Sequence, residues 1–195
     1  AMTASPRSVY DSGVPAGGTK ATQFGTDAPY QNRDGVHDPN ANREDYRAAW
    51  DMSRWIRTTA LAYALTGKDA YAERAIDLLE YWCLNDFTGM VPTTKNHSPH
   101  TDGFRAQWGI ELYLTIPAMF YGASLVAEHP YWDEVGGIGA LDSWAEEFLA
   151  SAENRGVASG SNGTSWRALT RITMAAYLDD QAALRRGYRF WARGF

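Results

Sequence analysis

Apolar residues recur at helical spacing along most of the chain after its first forty or so positions. Between Asp69 and Cys83, residues Ala72, Ala75, Ile76, Leu79, Trp82 and Cys83 form one stripe, and Glu73, Arg74, Asp77 and Glu80 take the opposite face. The same reading predicts helices from about Arg43 to Thr66, Phe104 to Ala127, Leu141 to Ala152, Thr164 to Leu178 and Asp180 to Arg193. Asn42 fits an N-cap, with Glu44 and Asp45 in the first turn where the helix dipole favours acids. Gly67 marks a stop, and the link Thr66-Gly67-Lys68 is short enough to force an antiparallel hairpin. Pro117 predicts a kink in the third helix. Alternation of the kind a half-buried strand needs is absent at any useful length.

Residues 1–42 are rich in Gly, Pro, Ser and Asn and read as an extended arm, with turns at Ser12-Gly13 and Gly17-Gly18. Residues 43–195 then form a single helical-hairpin domain. Three consecutive helix pairs joined by polar loops suggest an all-α array of antiparallel hairpins rather than a four-helix bundle. In such an array the loops at one rim line a groove. The arm, the 85–102 loop and the 156–165 loop therefore carry the functional candidates.

With 195 residues, 45% of them hydrophobic, the chain is long enough for one domain with a real core. No apolar run approaches the roughly 18 residues that span a bilayer. A net charge of −5 without a compensating Lys/Arg cluster argues against nucleic acid. Cys83 is the one cysteine, which excludes an internal disulfide and a thiolate cluster. The 8 Trp and 11 Tyr are either core packing or the flat rings of a sugar-binding cleft; composition does not separate the two. No signal peptide is visible. Ala1 ahead of Met2 reads as a vector remnant, consistent with a trimmed leader and with a secreted or periplasmic protein.

The densest chemistry lies between Lys95 and Arg105, which includes Asn96, His97, His100 and Asp102. Two histidines three apart invite a metal reading, but Pro99 lies between them and no HExxH context surrounds them. No metal or other cofactor is expected. A solvated loop and a site for an anionic substrate both stay open. In the second case histidine acts as acid or base near neutral pH, and Arg105 holds a carboxylate bidentately. Gln107 and Trp108 follow directly and join the substrate-binding candidates. The arm adds Tyr30 and Arg33, while Asp34-Gly35 is an ordinary turn dipeptide. Asn162 precedes a helix start and is either a cap or a ligand contact, and Trp166 is either core or cleft wall. There is no GxSxG, GxxxxGK or GxGxxG motif.

These residues resemble the alginate lyase-like polysaccharide lyases, helical toroids that cleave uronate polymers. Asp27 to Tyr30 with Asn32 to Pro39 is similar to their APY…RDG…NP loop, and Ala60 to Gly67 with Tyr71-Ala72 to their first helical hairpin. Met90-Val91-Pro92 resembles Met-Asn-Pro. Gly109-Ile110-Glu111 is similar to the start of the next helix, and Ser161 to Trp166 to the Asn-Asn-His…Trp motif. The resemblance implies an incomplete or short (α/α) toroid and β-elimination on an anionic polysaccharide. One group neutralises the uronate carboxylate, a base takes the C5 proton and an acid protonates the departing O4. Asn162 matches the neutralising position. The motif histidine is missing, since Gly163 or Thr164 stands there, and His97 or His100 would replace it from the neighbouring loop. Against a lyase of alginate or a glucuronan-type polymer stands a non-catalytic carbohydrate-binding or assembly module of the same fold. A glycoside hydrolase, which needs two opposed carboxylates, has only Glu111 and Asp102 to draw on and ranks last. Open ends of a short array also favour a homo-oligomer.

Overall fold

The third helix is apolar on every side, so it must be surrounded, and the fold is built around it. The computed structural model describes residues 44–93, 110–153 and 162–194, and among these every regular element is helical. The helices are α1 (Glu44–Thr66), α2 (Asp69–Leu79), α3 (Ile110–Val126), α4 (Ile138–Glu153), α5 (Asn162–Tyr177) and α6 (Gln181–Arg193). The arm predicted for 1–42 lies outside the described residues, as do 104–109 of the predicted third helix. α3 packs between α1 and α5, with α2 against α1 and α3, and α6 against α5. Its Tyr113, Ile116, Met119, Phe120, Ala123 and Val126 are all buried.

Contacts along these helices fix their directions. Gly122 of α3 faces Ile56 and Arg57 of α1, and further on His129 meets the ring of Tyr63 edge-on at 5.3 Å. Both chains advance together, so α1 and α3 are parallel. Thr170 of α5 meets Tyr113, and Tyr177 meets Phe120 at 5.0 Å, so α3 and α5 are parallel too. α6 runs back along α5, with Gly187 against Ile172 and Gly194 against Thr164. α4 is also antiparallel to α5, because Arg167 reaches Ala152 while Tyr177 reaches Asp142. One layer is thus a parallel row of α1, α3 and α5, and the returning helices pack against it. The second predicted hairpin, α3 with α4, is spaced by rings rather than close backbone: Phe120 stacks on Trp144 at 5.8 Å, and Trp144 in turn on Phe148 of its own helix at 5.3 Å.

Local chemistry explains the boundaries. Gly67 takes φ +64° and returns its N–H to the Tyr63 carbonyl at 2.8 Å, the left-handed stop that a glycine makes without strain. Asp180 caps α6 by accepting from the amides of Ala182 and Ala183, both at 2.9 Å. These donors hold its carboxyl below the usual aspartate range. The second helix differs from expectation: it ends as α-helix at Leu79 and continues as one π turn, Glu80–Leu84. A 3₁₀ turn at Pro130–Glu134 was not predicted; Pro130 at its start and the side chain of His129, which accepts from the Tyr131 amide, set it up.

Pro117 inside α3 has no N–H for the carbonyl of Tyr113, four residues earlier. The hydroxyl of Thr170 lies 3.0 Å from that carbonyl, and also 3.0 Å from the Trp166 carbonyl of its own helix. One hydroxyl proton is therefore shared between two acceptors, and one of them is the acceptor the proline leaves open.

Replacing Thr170 with Val should destabilise the fold by about 1–2 kcal/mol, because a buried carbonyl loses its donor. In a Pro117→Ala background the restored amide answers that carbonyl, so the same change should cost less. A denaturant double-mutant cycle checks this, and equal costs in both backgrounds would refute the pairing. Gly122→Ala should cost about 1–3 kcal/mol, since overpacking at a helix crossing must move backbone. The added methyl would sit 3.0 Å from the Arg57 Cα.

Candidate functional site

Because α1, α3 and α5 are parallel, their N-termini share one end of the molecule. The chain enters these helices from residues 1–43, 94–109 and 154–161, the segments that hold nearly all the candidate residues. The C-terminal ends of α2, α4 and α6 lie at this end as well. The N-termini of α1, α3 and α5 leave unpaired amides there, beside the carbonyls of the returning helices.

Tyr30, Arg33, Lys95, His97, His100, Arg105, Gln107 and Trp108 lie outside the described residues. Asn162 is the first residue of α5, one turn before Trp166. Trp166 is half-buried and packs against the main core. Glu111 lies in the first turn of α3.

Sequence reading missed a buried polar layer beneath the start of α5. Arg167 and Arg171 are 3% and 8% exposed. Arg167 donates from Nε and Nη2 to the carbonyl of Ala152, at 3.0 and 2.7 Å. It thereby caps the C-terminus of α4, where unpaired carbonyls and the dipole favour a cation. Its guanidinium also lies 6.0 Å from the ring centre of Tyr113 and 5.6 Å from that of Phe190. Arg171 sits 4.4 Å from the centre of the Phe190 ring and donates to Glu153 at 3.3 Å. Glu153 accepts from Arg186 through both oxygens, at 3.2 and 3.3 Å, and these contacts hold the Arg186 charge more firmly than usual. Two buried atoms in this layer, Tyr113 Oη and Arg171 Nε, have no hydrogen-bond partner among the described residues. The signal was present in the sequence. Arg167, Thr170, Arg171 and Met174 repeat at core spacing, so charge stands on the buried stripe of α5.

The layer makes the end of α5 rigid and ties it to α4 and α6. Among the described residues no cluster of His, Cys, Asp and Glu could hold a metal ion, and no helix is long and apolar enough to cross a membrane.

The family model described as alginate lyase matches residues 4–194. The chain belongs to the alginate lyase family. Among solved structures it is similar to an alginate lyase from Bacteroides ovatus, with a TM-score of 0.70 and 22% identity. That likeness establishes the helical fold. It covers 86% of this chain and 46% of the Bacteroides chain, so this chain spans about half the length of that relative. No curated protein matches the chain.

Removing Glu153 as Gln should destabilise the fold by about 2–3 kcal/mol, because Arg171 stays buried while its carboxylate partner is lost. Arg167→Lys should cost about 1–2 kcal/mol, since one ammonium cannot reproduce a two-pronged cap. Chemical denaturation checks both. A neutral outcome for Arg167→Lys would show that the α4 cap needs only a charge.

Proposed function

We propose that this protein is a polysaccharide lyase that cleaves a uronic-acid polymer, of alginate or glucuronan type, by β-elimination. The match to the alginate lyase family over residues 4–194 carries this reading. The shared end of α1, α3 and α5 supports it, because the unpaired amides of a helix N-terminus can donate to a carboxylate.

In this reading Asn162 donates its amide to the C6 carboxylate and stabilises the negative charge that develops as the C5 proton leaves. His97 or His100 takes that proton and returns one to O4 as the glycosidic bond breaks. Tyr30, Arg33, Lys95, Arg105 and Gln107 bind carboxylates and hydroxyls, and Trp108 and Trp166 supply ring surface. The helical array is read as part of an (α/α) toroid, with 1–42 as an arm over its groove. Secretion or a periplasmic location suits a polymer too large to enter a cell. Exposed Leu169 and Tyr188 at the α5–α6 edge support association of two copies.

One sequence feature favours the alternative of a non-catalytic binding module: the family's motif histidine is replaced by Gly163 or Thr164. Mixing the protein with alginate, polymannuronate, polyguluronate and glucuronan, while following ultraviolet absorbance of the C4–C5 double bond, separates the two. A rise with one polymer is expected, and Asn162→Ala should lower that rate by about 10²–10³, as for loss of one oxyanion donor. Binding with no unsaturated product would select the module. Hydrolysis would give shorter chains without the double bond.

A further inference from the structure

The stretch after α2 combines a tightly held backbone with exposed apolar side chains. Phe87 is 87% exposed, Val91 54% and Tyr81 47%. The backbone around Phe87 has little freedom. The Asn85 side chain accepts from the amides of Phe87 and Thr88 at 3.0 and 3.2 Å, and its carbonyl accepts from Gly89 at 2.7 Å. The Thr88 hydroxyl donates to the Tyr81 carbonyl at 2.6 Å, and the Met90 amide to that of Trp82 at 2.7 Å. Gly89 is required, since a Cβ there would meet the Asn85 carbonyl oxygen at 2.5 Å. Met90 is buried, and its carbonyl accepts from Trp144 Nε1 at 2.8 Å. The ring of Phe87 is thus held out at the tip of a turn that is anchored on both sides.

Position matters as much as rigidity. α2 runs back along α1, so its π turn and the tip that follows lie at the end where α1, α3 and α5 begin. Thr93 lies 3.3 Å, hydroxyl to hydroxyl, from Ser151 near the C-terminus of α4, which ties the stretch to that same end. Single π turns are frequent at functional sites.

We propose that Phe87 is a stacking platform for a pyranose ring of the anionic polysaccharide, at a subsite away from the bond that is cleaved. The proposal rests on the lyase reading. A pyranose ring presents C–H groups on its face, and these meet the negative face of an aromatic ring favourably. The uronate carboxylate lies at the edge of the sugar and stays in water, so the platform needs no charge of its own. Because the turn is already ordered, binding costs little conformational entropy. A ring without polar atoms reads sugar shape rather than hydroxyl pattern, so the subsite accepts either epimer of a uronate.

The test compares wild type with Phe87→Ala and Phe87→Trp on whichever uronate polymer the wild type cleaves, and on its short oligomers. Phe87→Ala is expected to raise KM for the polymer by about three- to tenfold, the range of one aromatic contact. Turnover, activity on oligomers too short to reach the platform, and the unfolding midpoint should stay unchanged, and Phe87→Trp should restore KM. An unchanged polymer KM in Phe87→Ala overturns the platform while leaving the lyase reading intact. A lowered unfolding midpoint, or loss of self-association in sedimentation with KM unchanged, assigns the ring to packing or to a second copy and also overturns it. A wild type that neither cleaves nor binds any uronate polymer removes the lyase reading and the platform with it.

Discussion

A proline in the most buried helix leaves one carbonyl that only another helix can satisfy. Tyr113 O has no amide at position 117 to bond, and Thr170 reaches it from α5. In a core, an unanswered carbonyl costs about 1–3 kcal/mol, comparable to a sizeable share of a domain's net stability. The pairing therefore sets the register of α5 along α3. Sliding α5 by one turn would break it and would also separate Tyr177 from Phe120. Gly122 does for α1 and α3 what Thr170 does for α3 and α5, by letting two backbones approach where any side chain would collide.

Once α5 is placed, the helices behind it follow. Arg167 and Arg171 lie on its inward face, where a long apolar residue would be the ordinary choice. Their charges are tolerable because each has a partner of opposite sign or a dipole end: the C-terminal carbonyl of α4 for Arg167, and Glu153 for Arg171. Phe190 of α6 supplies the ring that Arg171 stacks on. Glu153 closes the arrangement by also binding Arg186 on α6. One carboxylate thus holds α4, α5 and α6 together at the end where α5 begins.

Helix number, order and most boundaries were legible because amphipathic periodicity and the glycine stop at position 67 are local signals. The π turn after Leu79 was not, since the stripe of Trp82 and Cys83 continues through it without a break. It is held by the turn that follows, where Asn85 and Met90 return their amides to the carbonyls of Glu80 and Trp82, a pattern that helical periodicity does not register. The spacing of α4 from α3 was also hidden, because it depends on which rings stack across the gap. In the candidate site, Trp166 was read as either core or cleft wall, and it packs half-buried against the core. The motif reading drew attention to Asn162 and away from Arg167 and Arg171, whose burial conflicts with the usual exposure of charged residues.

That conflict bears on how this end of the molecule treats an anionic chain. An arginine aimed at a carboxylate must be available to it, whereas Arg167 and Arg171 are committed to Ala152, Glu153 and Phe190. Their electrostatic effect is indirect. Arg167 offsets the negative end of the α4 dipole, which would otherwise oppose the positive N-terminal ends of α1, α3 and α5 beside it. Arg171 and Arg186 together outweigh the one Glu153 they share. In the proposed lyase neither buried arginine is then available to a uronate carboxylate, and the uncharged ring of Phe87 holds the sugar by shape rather than charge.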